Sequence, residues 1–189
     1  VEQARQALDE LKNLLSEFRF QSQRDLDAAL VAMFTAVVRP SLPAAPMFHV
    51  RAPQIASGKS YLCNLLAAFA GPGSPSASAF PENQEESQKL FFSLLMDSPA
   101  VVIFDNLTSD LLPYTSLCSA LTEESIQGRI LGVSKTARVS TKTVFLSSGN
   151  NVGPVKDMTR RTVVICLNPK TELASDRDFK FDPLSMVRS

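Results

Sequence analysis

Ser57-Gly58-Lys59-Ser60-Tyr61 holds the residues of this 189-residue sequence best suited to work on phosphate. A phosphate-cradling loop has the form G-x-x-x-x-G-K-[ST] between a strand and a helix. Its glycines let the backbone approach the ligand, its N–H groups hold oxygens, its lysine reaches the outer phosphates and its hydroxyl ligates a divalent ion. Gly58, Lys59 and Ser60 fit this form, and Pro53 stands where the first glycine belongs. The predicted nucleotide-contacting set is therefore Pro53, Ser57, Gly58, Lys59, Ser60 and Tyr61. A Ser-Gly turn carrying a solvent-facing lysine is the plainer alternative.

Such a loop needs a second anchor for its metal. Asp105, directly after the apolar run Val101-Val102-Ile103-Phe104, is the candidate, so Ser60 and Asp105 would hold Mg²⁺ between them. An aspartate that caps the next turn is the competing reading. Asn106 follows, and an amide cannot deprotonate water. Either another carboxylate polarises the water or turnover is slow; Glu85 and Glu86, on the helix after the loop, are the candidates, against the stronger reading of solvated helix residues. Ser147-Ser148-Gly149-Asn150-Asn151 follows another apolar run, 143–146, and its polar side chains can hold an attacking water and sense the γ-phosphate, or merely form an Asn-Gly-rich turn. Arg160-Arg161 precedes the run 162–167, either facing solvent or completing a neighbour's site with a guanidinium fork.

These residues need a scaffold, and the pattern around them predicts strands alternating with helices. Residues 1–18 and 22–38 carry apolar residues three and four apart, as two amphipathic helices do, and Pro40 and Pro43 close the second. The short apolar run 46–51 precedes the loop and contains His49, expected to be a core or interface histidine because the sequence has no second histidine to pair with it. Residues 71–79 are too rich in Gly, Pro and Ser for a full ladder and lead at most into a brief edge strand. A helix follows over 82–96, part of another at 117–121 that Gly128 ends, and a hairpin over 129–140. Strand runs at 101–104, 143–146 and 162–167 read as continuously apolar, as strands buried on both faces do. The expected fold is α/β with a parallel central sheet between helical layers. The predicted division is an N-terminal helical segment over 1–43 and a core over 44–189, with the tail after Pro169 weakly patterned.

Composition sets outer bounds. Lys plus Arg equals Asp plus Glu at 19 each, which excludes a polybasic chain that binds nucleic acid by bulk charge. A 44% hydrophobic content with 20% charged residues is that of a folded domain. Cys63, Cys118 and Cys166 show no C-x-x-C spacing and lie in or beside apolar stretches, as free thiols of a reducing, cytoplasmic compartment do. No apolar run is long enough for a membrane span. From the start at Val1 rather than Met, the expectation is a fragment, a trimmed form or the ordered part of something longer.

The ordered set of phosphate loop, strand ending in Asp-Asn, T-E-E…G-R-I-L-G, S-G-N-N and R-R before an apolar strand resembles the AAA+ P-loop ATPases. Within them it is similar to helicase or primase-helicase-like proteins of plasmids, phages and integrative elements, over roughly residues 45–168. The resemblance implies a three-layer P-loop NTPase fold with Gly58, Lys59 and Ser60 as the Walker A end and Asp105 as the Walker B aspartate. It also implies Asn150 as the sensor-one residue and Arg160 or Arg161 as an arginine finger. Lys59, Asp105, Asn150, Arg160 and Arg161 are thus the catalytic candidates, with ATP and Mg²⁺ as cofactors. A homo-oligomer in the form of a hexameric ring, DNA, and replication or mobile-element proteins are the implied partners, with no membrane. Pro53 and Asn106 depart from the pattern, and the C-terminal helical lid is not evident in the tail.

The segment 129–142 occupies the place where related helicases carry a pore hairpin. Seven basic residues and one acidic residue between Arg129 and Arg161 give a local excess of +6 in a neutral chain. Arg129, Lys135, Arg138 and Lys142 are the candidate nucleic-acid contacts, against the plainer reading of a solvated hairpin. The leading expectation is an ATP-hydrolysing motor or loader on DNA. An ATP-dependent switch with little hydrolysis and a small-molecule P-loop phosphotransferase are the alternatives.

Overall fold

Apolar residues alternate between two separate cores along each central strand, and that alternation defines the layers. In the computed structural model, which describes residues 1–129, 135–168 and 180–188, β1 (Met47–Ala52) sends Phe48, Val50 and Ala52 into one core and Met47 into the other. The strand β3 (Val101–Leu107) divides Val101 and Ile103 from Val102 and Phe104 in the same way. In β6 (Val144–Asn150), Val144 and Leu146 part from Phe145. A strand's side chains point to opposite faces in turn, so a strand apolar at every position must be covered on both sides.

The first core is closed by α1 (Glu2–Leu14), α2 (Gln23–Val38) and α3 (Lys59–Ala68). Leu15, Ala29, Leu30, Met33, Leu62, Cys63, Leu65 and Leu66 are buried there against the sheet. The second is closed by α4 (Gln84–Met96) and α5 (Thr115–Thr122), with Phe91, Phe92, Leu95, Leu117 and Leu121 buried. Asn83 caps α4 by accepting from Glu86 N–H at 2.9 Å, which satisfies one of the free donors of the first turn.

The sheet runs in the order β2-β3-β6-β1-β7, with β2 (Ser76–Ser78) and β7 (Thr162–Cys166) at its edges and every pairing parallel. Three layers with a parallel sheet match the expected architecture, and β2 is the brief edge strand that the Gly-Pro-Ser segment allowed. The short helix α6 (Pro183–Arg188) packs near α3, where Tyr61 Oη accepts from Leu184 N–H at 3.0 Å. Residues 169–179, in the tail, lie outside the described residues.

Three local expectations change. The first helix stops at Leu14, short of Phe18. The helix α5 ends at Thr122, and Gly128 belongs to a strand, β4 (Ser125–Arg129), which pairs antiparallel with β5 (Thr136–Ser140). The hairpin thus begins four residues earlier than its alternation shows. Its position explains Gly128: a Cβ there would lie 2.5 Å from the Phe92 ring, so the strand reaches α4 only through glycine. Among the described residues no helix is long and apolar enough to cross a membrane.

Candidate functional site

The 53–60 loop joins the end of β1 to α3. Ala56 and Gly58 both take left-handed backbone, at φ 55° and 86°, which coils the loop. Gly58 caps α3 without a side-chain hydrogen bond, leaving the first-turn N–H groups of the helix without intrahelical acceptors, an arrangement that favours an anion. Lys59 is buried and turned inward. Its Nζ donates to the Gln54 carbonyl at 3.2 Å and to Ser57 Oγ at 3.0 Å. Burial pushes its ammonium below the ordinary lysine value, and Asp105 opposes that shift.

The strand period brings Asp105 to the same loop. Counting from Val101 and Ile103, Asp105 falls on the sheet face that α3 covers, and Ser148 of β6 falls on that face too. The ladder between β3 and β6 shifts register between Phe104 and Leu107, and Asn106 adopts φ 55°. Asp105 Oδ1 there accepts from Ser60 Oγ at 2.9 Å, from Asn106 N–H at 3.0 Å and from the Ser148 hydroxyl. Glu85 and Glu86 are engaged on their own helix, Glu85 with Lys89 at 2.6 Å and Glu86 with the Glu82 N–H at 3.3 Å.

Asn150 stands at the end of β6. It pairs with Ala52 at the end of β1, and its Oδ1 is buried without a hydrogen-bond partner. Asn151, at φ 54°, donates from Nδ2 to the Pro53 carbonyl at 3.3 Å. Ser148 and Asn151 belong to the polar segment 147–151 that the sequence pointed to as a whole, although only Asn150 was given a role of its own there. Gly149 is required here, because a Cβ would lie 2.3 Å from Val152 Cγ2 and 3.2 Å from the Leu107 carbonyl oxygen. Gly149→Ala is expected to cost about 1–3 kcal/mol by overpacking. For a chain of this size that is a fall of roughly 2–12 °C in Tm. A melting temperature unchanged to within a degree would show that Val152 is not seated there.

The remaining predicted residues lie elsewhere. Tyr61 faces α6, its hydroxyl on Asp182, with its ring 5.9 Å from that of Phe18. Arg160 and Arg161 precede β7, whose first residue Thr162 pairs with Met47 at the start of β1. They therefore sit at the opposite end of the sheet from the loop, about 16 Å away by strand rise. Both pair with Asp157, Arg161 at 2.8 Å, and Arg160 is the more exposed, at 73% against 21%. Arg129, Lys135 and Arg138 are exposed on the hairpin, with Arg138 Nε 2.5 Å from Ser125 Oγ. Lys142 lies past the hairpin, its Nζ donating to the Pro40 carbonyl at 2.7 Å.

The donor set suits a nucleotide with magnesium. One carboxylate and one hydroxyl are the few protein ligands that Mg²⁺ takes when phosphate and water supply the rest. The inward lysine belongs to the loop that leaves the end of β1, and the orphaned Asn150 oxygen belongs to the residue paired with that end.

By fold the chain is a P-loop-like α/β protein with a parallel central sheet flanked by helices. It superposes on the C-terminal region of NrS-1 in its apo form with a TM-score of 0.56 at 14% identity, over 94% of this chain and 41% of that one. JCV helicase superposes less closely, with a TM-score of 0.47 at 12% identity, over 82% of this chain and 48% of that one. The chain thus spans less than half the length of either structure. It matches no protein-family model and no curated protein sequence.

Proposed function

We propose that this protein binds ATP with Mg²⁺ at the 53–60 loop and hydrolyses it as the motor or loader of a helicase-like, DNA-acting assembly of AAA+ type. The observation that carries the reading is Ser60 Oγ against Asp105 Oδ1 at 2.9 Å, two residues 45 positions apart that meet at the start of α3 beside an inward lysine. In this reading Lys59 holds the outer phosphates and Ser60 and Asp105 hold the metal. Asn150 orients the attacking water, and Arg160 or Arg161 acts on a neighbouring copy in a ring. The apolar residues Val31, Phe34, Val37 and Val38, exposed along α2 beside the β7 edge, supply surface for such a contact. DNA is assigned to the basic hairpin, and the replication or mobile-element setting rests on the sequence resemblance.

Asn106 favours a second reading, an ATP-binding switch with little hydrolysis, because no carboxylate stands directly after Asp105. Phosphate release with and without single-stranded DNA separates the two. Turnover that requires Mg²⁺, rises with DNA and collapses in Asp105→Asn, while metal-free nucleotide binding persists, is the expected result. Binding without turnover selects the switch, and coincident metal titrations of wild type and Asp105→Asn remove Asp105 from the site.

The hairpin carries its own expectation. Lys135→Glu with Arg138→Glu should weaken single-stranded DNA binding and reduce the slope of log affinity against log salt by about 1.4, from two lost phosphate contacts. Anisotropy across a salt series measures it. Equal slopes for both proteins would leave the hairpin merely solvated.

A further inference from the structure

His49 is the sole histidine of the sequence and is wholly buried in β1, four residues before the 53–60 loop. Both ring nitrogens are engaged: Nδ1 lies 2.8 Å from Ser147 Oγ of β6, and Nε2 lies 2.9 Å from the Val152 carbonyl. A carbonyl only accepts, so Nε2 carries the proton and Nδ1 accepts from the serine hydroxyl. Burial pushes the imidazolium below its ordinary value, the Val152 carbonyl and Asp110 oppose that, and Arg51 adds to it.

The partner of this histidine gives it its interest. Val152 lies in the turn 151–153, which joins the start of the 53–60 loop to the segment after β3. On one side Asn151 donates to Pro53 O at 3.3 Å from its side chain and to Ala52 O at 3.4 Å from its backbone. On the other, Gly153 N–H donates to Asp110 Oδ1 at 3.0 Å and its carbonyl accepts from Leu111 N–H at 2.9 Å. The Val152 side chain closes over Gly149. Directly before the turn stands Asn150 with its unpartnered buried oxygen. His49 thus reaches from beneath the sheet, on the face away from α3, to hold by its carbonyl a turn that contacts the loop above.

We propose that His49 is a positioning residue that sets the 150–153 turn, and through it Asn150 and the 53–60 loop, for the nucleotide reaction. This rests on the ATP-hydrolysing reading above. A packing role predicts that any side chain of similar volume serves. A positioning role predicts that the Nε2 donor counts, because glutamine can present an N–H at that distance and leucine cannot.

In nucleotide-free His49→Leu, amide hydrogen exchange over 150–153 is expected to rise about tenfold or more, while exchange in β3 changes little. In steady-state turnover kcat should fall about tenfold with KM for ATP within about threefold, since the loop still holds phosphate. His49→Gln should recover both. Unchanged exchange and kcat in His49→Leu, or a folded His49→Gln that behaves as His49→Leu, would overturn the proposal. Imidazole ¹⁵N shifts of the wild type need no variant: the Nε2-protonated tautomer supports the proposal, and the Nδ1-protonated tautomer breaks the bond to Val152 and overturns it. Wild type that neither binds nor hydrolyses ATP, with exchange responding as described, overturns the functional reading and leaves the positioning of the turn standing.

Discussion

Lys59→Ala should raise the dissociation constant for Mg-ATP by roughly 100-fold, about 3 kcal/mol, while shifting the melting temperature of the unliganded protein little. The two acceptors that Lys59 reaches, the Gln54 carbonyl and Ser57 Oγ, are both neutral and both belong to its own loop. A buried ammonium held by neutral dipoles is under-compensated, as its lowered pKa reflects. A triphosphate would supply the missing charge through charge-assisted hydrogen bonds, which are stronger than the bonds they replace. Removing the amine forfeits that gain in the complex but releases a desolvated charge in the free protein, so affinity falls much further than stability. Calorimetric titration with a parallel thermal melt measures both. An unchanged affinity in the folded variant would remove the loop from nucleotide binding altogether.

The second large effect concerns subunits. Neither Arg160→Ala, Arg161→Ala double-variant subunits nor Lys59→Ala subunits should turn over alone, yet mixtures of them should recover activity. The arginines stand at the start of β7 and the loop follows the end of β1, so the length of the strands separates them within one chain. An arginine finger contributes about 10³–10⁵ in kcat, and on the proposed reading these arginines would act on a neighbour's nucleotide. Arg160 is the better placed to reach across, being largely exposed, whereas Arg161 is more enclosed. Asp157 holds both in the single chain and must release one for the contact to form. A mixed assembly joins an intact loop from the double variant to intact arginines from the Lys59→Ala subunit. Phosphate release over a range of mixing ratios, with native mass spectrometry to establish mixed assemblies, is the measurement. Activity that never exceeds the weighted sum of the two variants would count against a shared site.

The sequence by itself determined the local elements, because the signals for them lie within a few residues of each other. The doubly apolar runs at 101–104, 143–146 and 162–167 each became a sheet strand, and the amphipathic run 22–38 became α2. Gly58 before an apolar helix set where α3 starts, through a left-handed backbone that glycine adopts without strain. Boundaries that depended on distant neighbours were less legible. Gly128, a helix stop by local pattern, is a strand residue because only glycine fits against Phe92.

The order of the strands was decided by the tertiary structure alone. A period of two says which face a side chain takes, but nothing in it says which strand lies alongside. Placing β6 between β1 and β3 brings Ser148 to Asp105, Asn150 to the end of β1 and Ser147 to His49. Lys142 leaves the predicted basic track for the Pro40 carbonyl for the same reason, since the approach of α2 and its following turn to the start of β6 is a long-range event. The buried Arg39 belongs with it: its guanidinium donates to the Thr143, Leu42 and Thr141 carbonyls at 3.0, 2.8 and 2.6 Å, tying the end of α2 to that same approach. All of these but the bond to Leu42 join residues about a hundred positions apart. They form where covering both apolar faces of one sheet forces the helices and strands together, and that packing is a property of the whole fold, encoded in no single stretch of the chain.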